Sequence, residues 1–155
     1  SELIYINGVL MHNPQIVSGK RKVRDIDLLE AAAQRPQASA FGADAYPTLA
    51  LKVAALMHSL LRNHPFADGN KRTATVAALL MFAVNGWRVV WEQPAALDMI
   101  LRAAEGHMTY DTLADWFTVQ PYPDGERAPD ADADARLIAE IIESQRWLLD
   151  ELEQR

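Results

Sequence analysis

The sequence predicts an all-α fold wrapped around one central buried helix. Two observations carry this reading. The stretch from about Asn70 to Val84 is apolar on nearly every side, with Ala74, Val76, Ala77, Ala78, Leu79, Leu80, Met81, Phe82 and Ala83 close together. A helix that is hydrophobic all round is one its neighbours bury. Around it, shorter segments carry apolar residues at helical spacing, bounded by capping or breaking residues.

The elements follow in order. Residues 2–12 place Leu3, Ile4, Ile6, Val9, Leu10 and Met11 in a short helix ending near Asn13-Pro14. Residues 17–24 are polar, contain Gly19, and read as an exposed loop or small hairpin. Asp25 is placed to cap a helix through Arg35, stopped by Pro36. Residues 36–46 read as irregular. From Pro47 to Asn63, Leu49, Val53, Leu56, Met57, Leu60 and Leu61 fall at helical spacing. Pro65 cannot continue that helix and drives His64 from the α region, so His64 is expected on the first extended residue. Asn85-Gly86 is a stop signal, and Trp87–Trp91 reads as a short extended segment. A further helix spans 94–105 between Pro94 and Gly106, and Thr109 is placed to cap the last one, ending near Phe117. Residues 119–134 hold three prolines, Gly125 and five acidic residues, which reads as a linker. Helical periodicity returns over 135–153. The expected organisation is a domain at 1–118, a linker at 119–134 and an amphipathic C-terminal helix at 135–155.

Composition narrows the function classes. The chain has 155 residues, 15 basic and 21 acidic, for a net charge of −6. A protein that docks on nucleic acid needs a basic face, and here only Lys20, Arg21, Lys22 and Arg24 cluster. Direct nucleic-acid binding is therefore not expected. With no cysteine, disulfides and thiolate metal sites are excluded. The opening Ser1-Glu2-Leu3-Ile4 shows no secretion signal. The longest apolar run, Thr73 to Trp87, is shorter than the roughly 20 residues a membrane span needs. The expected compartment is the cytoplasm, with no membrane partner.

The chemistry is concentrated in His64-Pro65-Phe66-Ala67-Asp68-Gly69-Asn70-Lys71-Arg72, a polar loop between two apolar helices. Its far end opens the buried helix, where free N–H groups and the helix dipole favour an anion. Gly69 lets the backbone turn and approach a ligand closely. Lys71 and Arg72 add positive charge, and arginine can grip phosphate through two parallel hydrogen bonds. Asp68 has the wrong sign for a bare anion site but fits if Mg²⁺ joins carboxylate to phosphate. His64 titrates near neutrality and can take a proton from a hydroxyl. Phe66 anchors the loop in the core. Singly, each has an ordinary structural reading: a helix-capping histidine, N-capping Asp68 and Asn70, a solvated Lys71-Arg72 face. Together, in this order and between two helices, they point to a site.

The segment resembles the Fic-family motif His-x-Phe-x-Asp/Glu-Gly-Asn-Gly/Lys-Arg at every specified position. Lys71, where most Fic AMP-transferases carry glycine, resembles the Doc (death-on-curing) toxin branch. Val23-Arg24-Asp25, Leu28-Leu29-Glu30, Arg35-Pro36, Tyr46-Pro47, Asn85-Gly86 and Leu113-Ala114-Asp115-Trp116 are also similar to Doc-type sequence, over roughly residues 3–118.

The resemblance implies a Fic/Doc-type helical bundle with a small β-hairpin flap. It implies that His64 is the general base, that Asp68 holds Mg²⁺, and that Gly69, Asn70, Lys71 and Arg72 cradle the phosphates of ATP. Lys20, Arg21, Lys22, Val23 and Arg24 would belong to the flap that aligns the target. The branch comprises toxins of toxin–antitoxin pairs that phosphorylate elongation factor Tu and are silenced by an antitoxin. The sequence also departs from Fic patterns. Thr75 stands where many AMP-transferases have a second arginine, no Ser/Thr-x-x-x-Glu-Gly/Asn inhibitory sequence is present, and Lys22 replaces a frequent glycine. The expectation is a protein kinase transferring the ATP γ-phosphate to a Ser/Thr hydroxyl of a translation protein. The alternatives are AMP transfer, or a catalytically lapsed protein that binds nucleotide or antitoxin. The C-terminal helix is expected to pack on its own domain, fill an antitoxin groove or pair with another copy.

Motifs for other chemistries are absent. There is no Walker phosphate loop, no protein-kinase catalytic loop, no Gly-x-Ser-x-Gly elbow and no His-Glu-x-x-His, and His12, His58 and His107 show no metal spacing.

Overall fold

The computed structural model describes residues 2–11, 23–40, 42–126, 128 and 130–155. The expected flap residues Lys20, Arg21 and Lys22 lie outside the described residues.

Helix α1 spans Glu2–Leu10 and α2 spans Ile26–Gln34. Asp25 caps α2 as its spacing predicts, accepting from the N–H groups of Asp27 and Leu28 at 3.0 and 3.1 Å. A short 3₁₀ turn, Arg35–Gln37, carries Pro36, and two-residue strands β1 (Ser39–Ala40) and β2 (Ala43–Asp44) pair in the stretch read as irregular. Thr48, rather than Pro47, opens α3 (Leu49–Asn63), its hydroxyl accepting from Leu51 N–H at 3.1 Å. Helix α4 is Asn70–Val84 and strand β3 is Asn85–Val89. Helices α5 (Gln93–Ala104) and α6 (Tyr110–Trp116) follow, with Thr109 capping α6 as expected. Strand β4 (Val119–Glu126) leads to α7 (Ala131–Ser144) and α8 (Arg146–Glu153).

The architecture is helical and α4 is its axis. Its residues Thr73 to Leu80 are buried, and it packs against α1, α3, α5, α7, α8 and β3. Among the described residues, no helix is long and apolar enough to cross a membrane.

Three local expectations change. His64 is left-handed at φ 48° and ψ 59°, not extended. Pro65 excludes the right-handed region for His64, but the left-handed C-terminal position of a helix stays open, and histidine tolerates it better than most residues. Residues 119–126, read as the start of a linker, form β4, antiparallel to β3 with Val119 opposite Val89 and Pro121 opposite Trp87. A two-stranded ribbon leaves each strand an outer edge, where a proline forfeits no ladder hydrogen bond.

The C-terminal helix is two helices, broken at Gln145. The break is stabilised from a distance. Gln93 accepts from Leu148 N–H at 2.9 Å and donates to Ser144 O at 3.1 Å, while Trp91 Nε1 donates to the Gln145 side chain at 3.0 Å. These bonds satisfy backbone groups that a broken helix would otherwise leave bare. The apolar faces of α7 and α8, including Leu137, Ile138, Leu148, Leu149 and Leu152, are buried inside the chain.

Candidate functional site

The site forms where α3 stops and α4 begins, and its shape is set by the turn at Asp68-Gly69. Gly69 is left-handed at φ 77°, and a Cβ there would lie 3.1 Å from both Asn7 Nδ2 and Met11 Sδ. Only glycine meets both demands at once. Asp68 folds its own carboxylate back on Gly69 N–H at 2.7 Å. From α1, buried Asn7 donates to Asp68 O at 2.8 Å and to Thr73 Oγ1 at 3.1 Å. Asn7 therefore ties the turn to the start of α4.

Asn70 closes the loop from within. Its side chain accepts from Phe66 N–H at 2.9 Å and donates to Phe66 O at 3.0 Å, while the Phe66 ring is buried in the core. Both ends of the amide are thus used in shaping the loop. What Asn70 offers an anion is its backbone N–H, in the first turn of α4 with those of Lys71 and Arg72.

Arg24 positions His64. Its Nε donates to His64 O and its Nη2 to Asn63 O, both at 2.7 Å, and its backbone N–H donates to Pro65 O at 2.7 Å. Val23 pairs with Phe66 beside it. Of the residues expected in the flap, Val23 and Arg24 therefore lie against the loop that carries His64, with the arginine capping the orphan carbonyls of α3.

Among the described residues Arg72 is the most enclosed cation, its side chain 9% exposed. Its guanidinium donates to Leu10 O at 3.4 Å and to Met11 Sδ at 3.3 Å, and it faces the Glu153 carboxylate at 3.9 Å. These are long contacts for a buried cation, which favours a closer anion. Thr75 is fully buried and its hydroxyl bonds back to Lys71 O at 2.8 Å. A second arginine at that position would have no room without repacking α4.

His64, Asp68, Gly69, Asn70, Lys71 and Arg72 share one cavity of about 150 Å³ with Ala67, Leu152, Glu153 and Arg155. Burial lowers the His64 pKa, and the charges of Lys71, Arg24 and Arg62 lower it further. Both effects favour the neutral imidazole, the form that can accept a proton. Among the described residues no three His, Asp or Glu side chains gather as a metal site. The exposed carboxylate of Asp68 is the side chain that could hold Mg²⁺, a hard cation that takes oxygen ligands and usually keeps several waters.

The motif residues His64, Asp68, Gly69, Asn70, Lys71 and Arg72 line one cavity, and Phe66 anchors the loop from the core. Sequence reasoning missed three features: Asn7, the clamping role of Arg24, and the approach of α8. Asn7 left a trace, as a polar residue on the apolar stripe of Leu3, Ile6 and Leu10.

The profile of the Fic/DOC family matches residues 1–82. The chain belongs to the Fic/DOC family. It is 45% identical over 98 residues to a protein of Mycolicibacterium smegmatis named Toxin Doc, a match covering 62% of this chain and 75% of that relative. It is 41% identical over 54 residues to a protein of Escherichia phage P1 named Protein kinase doc, covering 35% of this chain and 42% of the phage protein. The helical architecture is the one the Fic/Doc resemblance implies, and the Doc names of both relatives place this family member in the Doc branch.

Proposed function

We propose that this chain is the toxin of a toxin–antitoxin pair, acting as a protein kinase that moves the γ-phosphate of ATP to a Ser or Thr hydroxyl of a translation protein. Elongation factor Tu is the candidate target, and a small antitoxin protein the candidate silencer. On this reading residues 1–118 carry the catalysis and the C-terminal helices complete the fold. The observation that carries the proposal is the meeting of His64 with the α4 N-terminus and an enclosed Arg72 in one cavity. The names of the two relatives support the same reading.

In the proposed reaction His64 takes the proton of the target hydroxyl. The oxygen forms a bond to the γ-phosphorus as the bond from that phosphorus to its bridging oxygen breaks, and ADP departs with the electron pair. The N–H groups of Asn70, Lys71 and Arg72, with the side chains of Lys71 and Arg72, oppose the charge spreading over the transferred oxygens. Mg²⁺, when bound, would neutralise phosphate charge at the Asp68 carboxylate. Bulk and charge at Lys71, and the absence of a second arginine at buried Thr75, disfavour the deeper seating of outer phosphates that AMP transfer needs. Paired labelling tests this. Label from γ-phosphate ATP, and not from α-phosphate ATP, is expected on the target; the reverse pattern would establish AMP transfer instead.

The proton-accepting role has a pH signature. The base works only when neutral, so kcat/KM falls as pH drops through the free-enzyme pKa of His64. That pKa is lowered, which places the acid limb below the ordinary histidine value of about 6.5. Lys71→Met removes one depressing charge and should move the limb upward. The position of the limb is the readout, since Lys71 also serves the phosphate. An unmoved limb would show that another group sets it.

A further inference from the structure

A second polar cavity, of about 260 Å³, is lined by Arg35, Tyr46, Ala55, His58, Ser59, Arg62, Asn63 and Tyr110. Residues 55, 58, 59, 62 and 63 form one stripe of α3, so a helix that is otherwise core presents a polar face here. Arg35 and Arg62 both stand close enough to His58 to depress its proton affinity, although burial is the larger cause. His58 Nε2 bonds Met108 O at 2.9 Å. A carbonyl can only accept, so that nitrogen carries the proton and the neutral ring is fixed in one tautomer.

The charge of this cavity is unbalanced. No acidic residue lines it, and among the described residues neither Arg35 nor Arg62 has a carboxylate within ion-pair distance. Arg62 Nη1 holds Ala104 O at 2.7 Å. Arg35 has only a long contact, 3.5 Å, to Tyr46 Oη. In the wall behind them the Tyr46 and Tyr110 rings meet edge to face with centroids 5.2 Å apart. Two guanidiniums and phenolic hydroxyls around an open cavity form a receptor for one oxyanion, with the neutral His58 ring, its one N–H held by Met108 O, as part of the wall.

Its position says which oxyanion. His58 and Arg62 precede His64 on α3 by six and two residues, which is about 9 and 3 Å of helix at 1.5 Å per residue. An extended peptide advances about 3.3 Å per residue. Along the α3 axis this offset matches two to four residues of an extended peptide whose hydroxyl lies at His64. Resting on the transferase reading above, we propose that this cavity is a specificity pocket for an aspartate or glutamate side chain of the protein substrate, two to four residues from the accepting hydroxyl.

The first test needs no activity. Potassium acetate is titrated into the full chain while arginine Nε–H and histidine ring signals are followed by NMR, against potassium chloride at equal ionic strength. Saturable shifts at Arg35, Arg62 and His58 are expected with acetate alone, and lost in Arg35→Gln. Arg35 is exposed, so this variant keeps the fold. Shifts matching chloride, or spread evenly over all arginines, would overturn the pocket. The second test compares Ser peptides carrying one Glu, or Gln in its place, at positions two to four from the hydroxyl. The best-placed Glu peptide is expected to show a KM up to about fivefold lower than its Gln counterpart, the upper end for one exposed charge pair. That difference should vanish in Arg35→Gln and return in part in Arg35→Lys, with kcat unchanged throughout. Equal KM values at all positions would overturn the specificity role. Saturable acetate binding with no label reaching any hydroxyl would count against the transferase and still support a carboxylate pocket.

Discussion

His64→Ala is expected to lower phosphate transfer by ~10²–10⁴-fold, the range for loss of a positioned general base, while the protein stays folded. The side chain is exposed and lines the cavity. The structural work at this residue is done by its carbonyl, held by Arg24, and any residue supplies that group. The one backbone cost is the left-handed conformation, φ 48°, which alanine adopts less readily than histidine. His64→Asn controls for this, since asparagine adopts that conformation readily yet provides no base. Both variants should melt near the native protein, bind nucleotide, and fail to label target in single-turnover measurements. A rate near that of the native chain in either variant would remove His64 from the chemistry.

The site was legible because its residues are contiguous. Nine consecutive positions, His64 to Arg72, hold the proposed base, the turn glycine and the opening of α4, and local rules about prolines, glycines and helix N-termini apply directly to them. What stayed hidden depends on distant partners. Asn7 reaches the Asp68 turn across 61 residues and Arg24 reaches His64 across 40. The break at Gln145 relies on Trp91 and Gln93, more than 50 residues earlier. Periodicity marks which face of a helix is apolar but not which turn of it will yield to a remote glutamine. The β4 strand was obscured by its own prolines, whose composition resembles a linker until β3 is laid beside it. The left-handed His64 shows the reverse: the rule for residues before proline correctly excluded a helix there but did not choose between the two conformations left.

Ending the chain at Asp130 is expected to unfold it. Helices α7 and α8 bury Leu137, Ile138, Ile141, Ile142, Leu148, Leu149 and Leu152, and α4 and α5 receive them. Each such side chain is worth about 1.5–3 kcal/mol when fully buried, and area-based figures of this kind are upper estimates. Their sum nonetheless rivals the roughly 5–15 kcal/mol by which a whole domain is stable. Truncation would also expose the same apolar surface on α4, so the shortened chain should aggregate as well as unfold, seen as a lost thermal transition and a rise in light scattering. The same burial leaves this face unavailable for pairing with a second copy. Glu153→Gln separates packing from any effect at the site. It removes only the 3.9 Å pairing with Arg72, from a carboxylate 61% exposed, and leaves Leu152 in place. Its melting temperature should therefore match the native chain. Nucleotide affinity should rise, because an anion that competes for Arg72 has been neutralised. If the truncated chain instead stays folded and labels target faster than the native one, α7 and α8 are a removable inhibitory segment and not part of the core.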